Sequence, residues 1–142
     1  MGYLIDQGYI KRTEIFIPSA DVQIMSSLLQ PYTLITTNNN FFCLPIACYV
    51  AEIIGTVPYL GYNHLHLSNS GNYGAGDQCA TLAENSQPGN IEKGSMLINF
   101  QTSPNTFGGN NFANDLQIYW DTTPIAGDGD LKIVLYWIQE YK

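Results

Sequence analysis

The sequence has 142 residues, of which 45% are hydrophobic and 12% are charged. This length predicts one domain that is large enough to form a hydrophobic core, and the apolar content excludes a disordered chain. The net charge of −7 opposes binding to phosphate backbones and to anionic lipid surfaces, so neither nucleic acid nor membrane is expected as a partner.

The start of the chain and its cysteines bear on the compartment in which it folds. The first residues lack the basic and apolar regions of a secretory signal, and no apolar run is long enough to cross a bilayer. The three cysteines, Cys43, Cys48 and Cys79, lack the spacing of a zinc site. We therefore expect buried thiols in a protein that folds in a reducing cytoplasm.

The first third of the chain is predicted to contain an N-terminal arm and three strands. Residues 1–10 are the arm, which we expect to be ordered mainly by contact with a neighbour. Residues 11–17 alternate as a strand that Pro18 ends, and residues 32–36 are the next strand. Between them, residues 22–29 are compatible with either a short helix or a strand.

Residues 41–54 form the longest apolar run in the chain, and a strand there has two apolar faces. Pro45 cannot donate a hydrogen bond to a neighbouring strand, so this strand is predicted to lie at an edge or to contain a bulge. Residues 59–62 and 64–68 then predict a strand pair or one bent strand. Residues 77–86 are ambiguous between helix and strand, whereas residues 95–101 and 115–121 are predicted strands.

The predictions of fold and function depend mainly on the last strand, residues 130–141. Alternation places Leu131, Ile133, Leu135 and Trp137 on one face. The opposite face is also apolar in its middle, because it carries Val134, Tyr136 and Ile138. A strand of this kind needs a second cover, which is either another sheet or another copy of the chain.

The pattern as a whole predicts an all-β fold. About eight short antiparallel strands separated by turn signals are typical of a two-sheet β-sandwich, with a jelly roll as the favoured version. Residues 11–142 are predicted to form this single domain after the arm.

Two terminal segments and a short run between them resemble a known group of proteins. The segments are Ile-Phe-Ile-Pro-Ser-Ala-Asp-Val at residues 15–22, Pro-Tyr-Thr-Leu-Ile at residues 31–35, and Gly-Asp-Gly-Asp-Leu-Lys-Ile-Val-Leu-Tyr at residues 127–136. They are similar to segments of small structural proteins of tailed bacteriophages, including crAss-like phages. The resemblance implies a capsid-decorating, head-fibre or tail-associated virion protein that assembles from several copies in the host bacterial cytoplasm. It implies no catalytic residues.

Two groups of residues are candidates for metal binding. His64 and His66 lie two apart on one face of a predicted strand, a spacing that some metal sites use. Asp121, Asp128 and Asp130 supply oxygen ligands of the kind that a hard cation prefers. The favoured interpretations are polar strand residues at solvent or an interface, and an ordinary turn sequence. The sequence therefore predicts neither a metal nor another cofactor.

Catalytic and sugar-binding functions are weaker alternatives. The chain has no Gly-x-Ser-x-Gly motif, and its cysteines lie in apolar surroundings, so we do not predict an enzyme. The ten tyrosines include Tyr59, Tyr62 and Tyr73, whose rings and neighbouring amides suit a host glycan. The alternative function is accordingly a carbohydrate-binding module or a receptor-binding domain.

The favoured function is self-association within a virion. The predicted interface residues, which share apolar character on two-sided strands, are Phe41, Phe42, Val134, Tyr136 and Ile138. The expected partners are further copies of the chain, first of all in a homotrimer, and other virion proteins.

Overall fold

The protein is built mainly of β-strands that form two antiparallel sheets, in agreement with the predicted all-β class. The computed structural model describes residues 10–25, 30–37, 41–53, 55–57, 59–61, 64–69, 80–84, 94–97 and 114–141. The predicted arm lies outside these residues, except for Ile10, which begins the first strand. No helix in the described ranges is long and apolar enough to cross a membrane.

Each sheet has four strands in the part of the chain that the structure describes. The strands are β1 (Ile10–Ile17), β2 (Tyr32–Ile35), β3 (Phe41–Ile53), β4 (His64–Ser68), β5 (Ala80–Glu84), β6 (Gly94–Leu97), β7 (Leu116–Trp120) and β8 (Asp130–Tyr141). Sheet A has the order β1-β8-β3-β6, and sheet B has the order β2-β7-β4-β5. All neighbours in both sheets pair antiparallel.

Most strand predictions agree with the structure, including that for β4, and the segment 59–62 is the exception among the described residues. β1, β3 and β8 occupy the predicted residues to within one residue at each end. The ambiguous residues 77–86 contain β5, because pairing with β4 selects the extended conformation. Residues 59–61 form no strand in the predicted segment 59–62, and Leu60 makes only an isolated bridge to Ala126.

A six-residue helix, α1 (Ser19–Ile24), follows β1 in the region that the sequence left open. Pro18 is the N-cap residue of this helix. The carbonyl oxygen of Pro18 accepts hydrogen bonds from the backbone N–H groups of Asp21 and Val22, at 2.9 Å and 3.0 Å. The buried side chain of Val22 faces the core. The indole N–H of Trp120 donates to the Val22 carbonyl oxygen at 2.8 Å, so the helix is attached to sheet B.

The two sheets share one hydrophobic core. β8 contributes the four side chains that alternation predicts, Leu131, Ile133, Leu135 and Trp137. Sheet B contributes Leu34, Ile35, Leu65, Leu67, Leu116, Ile118 and Trp120. Two sheets that bury their inner faces against a common core agree with the predicted β-sandwich.

β3 lies in the interior of sheet A and accommodates a proline through a bulge. Its register with β8 shifts between Pro45 and Ala47, so the predicted bulge is confirmed. Cys43 and Cys48 on this strand are buried free thiols, as predicted, and Cys79 lies outside the described residues. Burial raises the pKa of Cys48 to about 12, which leaves this thiol without the properties of a nucleophile.

Candidate functional site

Sheet A has an outer face that points away from the core and exposes large apolar side chains. We define this outer face by the alternate side chains Ile10, Arg12, Glu14, Phe16, Leu44, Ala47, Tyr49, Lys132, Val134, Tyr136, Ile138 and Glu140. The exposed fraction is 55% for Phe16, 41% for Tyr136, 38% for Tyr49 and 37% for Ile10. Exposed apolar residues that share one face, unlike scattered ones, are typical of interaction surfaces.

Three charged residues on the outer face of sheet A are paired with one another. Glu14 lies 3.1 Å from Arg12 and also forms an ion pair with Lys132. The hydrogen bonds from Lys132 and then from Arg12 hold the pKa of Glu14 below its usual value. Because all three side chains are partly exposed, this network adds little stability, but it pairs Glu14, one of the two carboxylates on the face, with both cations.

The predicted interface residues divide between the two sides of sheet A. Phe41 lies on the core side, where its ring centroid is 6.1 Å from that of Trp137, so it does not belong to the outer face. Val134 is on the outer face, but its side chain is already buried within one chain, with only 8% exposed. Tyr136 is exposed, and Ile138 is half-buried. The Phe42 side chain lies outside the described residues.

Sheet B brings together three residues that the sequence analysis assigned to separate groups. His64 and His66 lie on one face of β4, since Leu65 and Leu67 between and beyond them point into the core. β4 pairs with β7 in the register Leu65 to Trp120, which places Asp121 beside His64.

We call His64, His66 and Asp121 the His-Asp cluster. One ligand-type atom from each residue lies within 4.8 Å of the other two. His64 Nδ1 is 2.6 Å from Asp121 Oδ2, and His66 Nε2 is 3.6 Å from the same oxygen. The imidazole rings are stacked with centroids 5.4 Å apart, and the ring of His66 also contacts that of Tyr119.

The carboxylate of the His-Asp cluster also accepts a hydrogen bond from the backbone. Asp121 Oδ1 accepts a hydrogen bond from the backbone N–H of His64 at 2.8 Å. Burial acts to raise the pKa of Asp121 and is the largest single influence, but it is outweighed by the hydrogen bonds from the His64 side chain and backbone together with the electrostatic effect of His64 and a backbone hydrogen bond from Thr122. The pKa of this carboxyl group is therefore lowered, and the group is ionised at neutral pH.

The three predicted aspartate ligands do not converge on one site. Asp128 accepts hydrogen bonds from the backbone N–H groups of Thr56 and Val57, each at 2.8 Å, and from the Thr56 hydroxyl at 2.6 Å. Asp130 accepts one from the backbone N–H of Ser19 at 2.8 Å. These two carboxylates accept hydrogen bonds from the backbone of a loop and of the start of α1. Neither belongs to the cluster that contains Asp121. The predicted calcium alternative is thus not supported among the described residues.

The hydrogen bonds to Asp128 predict an acid-sensitive contribution to stability. The hydroxyl of Thr56 is the largest cause of the lowered pKa of Asp128, followed by the backbone N–H of Val57. A lowered folded-state pKa stabilises the fold above the unfolded value of about 3.9 and loses that effect as the pH falls below it. We therefore expect the melting temperature of the wild type to fall more steeply than that of Asp128→Asn between about pH 5 and about pH 2.

Circular-dichroism melting curves at several pH values measure this difference. Thr56→Val removes the hydroxyl donor but keeps the shape of the side chain, and it is expected to reduce the slope partly. Parallel pH profiles for wild type and Asp128→Asn would contradict the assignment.

The tyrosines predicted to bind a glycan are not grouped on a described surface. Tyr59 is 3% exposed, its hydroxyl donates to the carbonyl oxygen of Gly129, and its ring lies 6.1 Å from that of Trp120. Tyr59 packs beneath the loop before β8, so its ring is not accessible for stacking against a sugar. Tyr62 and Tyr73 lie outside the described residues.

The sequence placed each histidine correctly on a shared strand face, but it did not connect them with Asp121. The available signal was the position of Asp121 directly after a predicted strand. The sequence did not show which strand pairs with this one, so it could not predict which residues lie beside Asp121. Comparison of the chain with family models, curated proteins and solved structures finds no match.

Proposed function

We propose that the chain is a non-enzymatic structural protein of a bacteriophage virion, with a jelly-roll fold, that associates with copies of itself through the outer face of sheet A. The strand orders β1-β8-β3-β6 and β2-β7-β4-β5 support the jelly roll, because this is the order that results when four antiparallel pairs, β1–β8, β2–β7, β3–β6 and β4–β5, wrap around one core. Such domains are common in capsids and in lectins, so the fold by itself does not decide the function.

The observation that carries the proposal is the exposed apolar surface of sheet A. Phe16, Tyr49 and Tyr136 project from three adjacent strands, where a solitary sheet would present polar side chains to water. Burying these rings against a partner gains about 25 cal/mol for each Å² of apolar area removed from water. Aromatic residues of this kind dominate the energetics of many interfaces.

Charge favours a second copy of the chain as the occupant of this face. The whole chain has a net charge of −7, so most ways of bringing two copies together oppose like charges. The residues that define the outer face include two cations, Arg12 and Lys132, and two anions, Glu14 and Glu140, which sum to zero. Copies that meet here avoid most of that repulsion and can exchange ion pairs across the interface.

The segments that resemble phage structural proteins lie together in the fold. Residues 15–22 cover the end of β1 and most of α1, and residues 127–136 cover the start of β8. Ile17 pairs with Leu131, and the backbone N–H of Ser19 donates to Asp130 at 2.8 Å. This contact supports treating the two motifs as one structural unit, which is the basis for proposing a virion component.

Self-association is tested by the molar mass of the purified protein in solution. We expect light scattering at micromolar concentration to give a multiple of 15.8 kDa, with three copies as the first expectation. Tyr136→Glu places a charge in the middle of the outer face and is expected to weaken association at least about tenfold.

The matched control is Ile125→Glu, since Ile125 is 86% exposed and lies in the loop between β7 and β8. This variant is expected to associate like the wild type. A wild-type mass of 15.8 kDa throughout the concentration range would contradict the proposal. The proposal that the chain belongs to a virion is tested separately, by mass spectrometry of purified phage particles, in which the chain should be present.

A further inference from the structure

The His-Asp cluster has nearly the dimensions of a metal site. In a tetrahedral site with bonds of 2.0–2.1 Å, ligand atoms are about 3.3 Å apart. The pair His66 Nε2 and Asp121 Oδ2, at 3.6 Å, is close to this spacing, and the pair His64 Nδ1 and Asp121 Oδ2, at 2.6 Å, has to open slightly. One ligand atom from each of the three residues lies within 4.8 Å of the other two, so small side-chain movements would be needed to bring all three to the spacing of a tetrahedral site.

A hydrogen bond between His64 and Asp121 does not by itself account for the arrangement. His66 adds a second imidazole nitrogen on the same carboxylate oxygen, at 3.6 Å, which is too long for a hydrogen bond. The His66 side chain is only 9% exposed, and its position is fixed by β4 and by the rings of His64 and Tyr119. Two imidazoles thus converge on one oxygen.

The backbone orients the carboxylate for binding. Asp121 Oδ1 is occupied by the N–H of His64, so Oδ2 is the oxygen that faces both rings. A carboxylate fixed in this way loses little conformational entropy when it binds an ion. Groups that orient a ligand residue commonly change metal affinity by about 10-fold to 100-fold.

The donor set selects the class of ion. Imidazole nitrogen together with carboxylate oxygen suits Zn²⁺ and other first-row transition metals, whereas Ca²⁺ requires six to eight oxygen ligands. His64 and Asp121 are 44% and 33% exposed, so the cluster is open to solvent on one side. Three protein ligands leave a fourth position for water.

From this geometry we propose that His64 Nδ1, His66 Nε2 and Asp121 Oδ2 bind a divalent first-row transition metal ion, with Zn²⁺ as the ion to test. The site joins β4 to the end of β7 in sheet B, whereas self-association uses the outer face of sheet A. The proposal is therefore independent of the proposed function. It replaces the interpretation of the two histidines as ordinary polar strand residues.

The histidines provide a direct measurement, because the chain has two of them. Titration of the untagged, ¹⁵N-labelled protein with ZnCl₂ is expected to shift the imidazole signals of both residues, with saturation at one ion per chain. The nitrogen shifts should identify Nδ1 as the ligand in His64 and Nε2 in His66. If either histidine remains unaffected, or if Zn²⁺ binds without shifting them, the proposed site is wrong.

Substitution separates this site from other groups that bind Zn²⁺. Asp121→Asn and His64→Ala are each expected to weaken Zn²⁺ binding at least about tenfold in calorimetric titration. Asp130→Asn is the matched control, because its carboxylate lies outside the cluster and the amide oxygen can still accept from Ser19. Equal affinities for wild type and Asp121→Asn would overturn the proposal. The wild-type titration decides the matter if a variant fails to fold.

Discussion

Trp120→Ala is expected to lower the free energy of unfolding by about 3–5 kcal/mol, as truncation of a buried tryptophan typically does. The Trp120 side chain is fully buried, and its ring packs at 6.1 Å from that of Tyr59. Its indole N–H donates to the carbonyl oxygen of Val22, and its backbone N–H donates to Met25. Truncation therefore leaves a cavity in the shared core and removes the indole hydrogen bond that links α1 to sheet B.

Urea denaturation measures this loss, with Trp137 as the remaining fluorescent reporter. Trp120→Phe is the informative companion, because it keeps most of the apolar volume and removes only the indole hydrogen bond. We expect it to cost about 1–3 kcal/mol, the usual effect of leaving a buried acceptor unsatisfied. A cost below about 1.5 kcal/mol for Trp120→Ala would show that α1 and the core do not depend on this residue.

Gly127→Ala is expected to destabilise the fold by about 2–5 kcal/mol, the sum of backbone strain and overpacking. Gly127 is buried and has a φ of 131°, a backbone conformation that residues with a side chain rarely adopt. A Cβ atom at this position would overlap the ring of Tyr59. That ring cannot retreat, because it is buried against Trp120 and its hydroxyl is bonded to Gly129.

Gly61→Ala is the matched control for this effect. Gly61 also has a positive φ, of 79°, but the atoms that a Cβ would meet belong to the side chain of Ile125, which is 86% exposed and free to move. Gly61→Ala should therefore cost only the backbone strain, about 1–2 kcal/mol. Equal melting temperatures for the two variants would refute a steric role for Tyr59.

The sequence predicted the strands whose side chains alternate clearly. β8 has core residues at every second position, and β1 ends at a proline, so local pattern and tertiary structure agree there. The pattern was weaker for β5, which is five residues long, and for Tyr59, whose neighbours suggested a strand. In both places the outcome depended on contacts with residues far along the chain, β4 for the first and Trp120 for the second.

The candidate sites were predictable to a similar extent. Alternation placed Tyr136 and Ile138 on one face, and the structure keeps them there. Phe41 and its neighbour Phe42 were both predicted at the interface, but the register of β3 across the bulge after Pro45 places Phe41 on the core side. A shift of one residue exchanges the two faces of a strand, and no local signal gave the position of the shift with certainty.

The all-β class, the two-sided apolar character of β3 and β8, and the shared face of His64 and His66 were predictable from the amino-acid pattern alone. Each of these follows from periodicity within a single segment. Three features emerged from the folded arrangement: Asp121 joins the histidines, Asp128 and Asp130 accept hydrogen bonds from backbone groups instead, and Tyr59 is buried. These arrangements depend on which strands pair and in which register, and pairing between distant segments is set by the packing of the whole core.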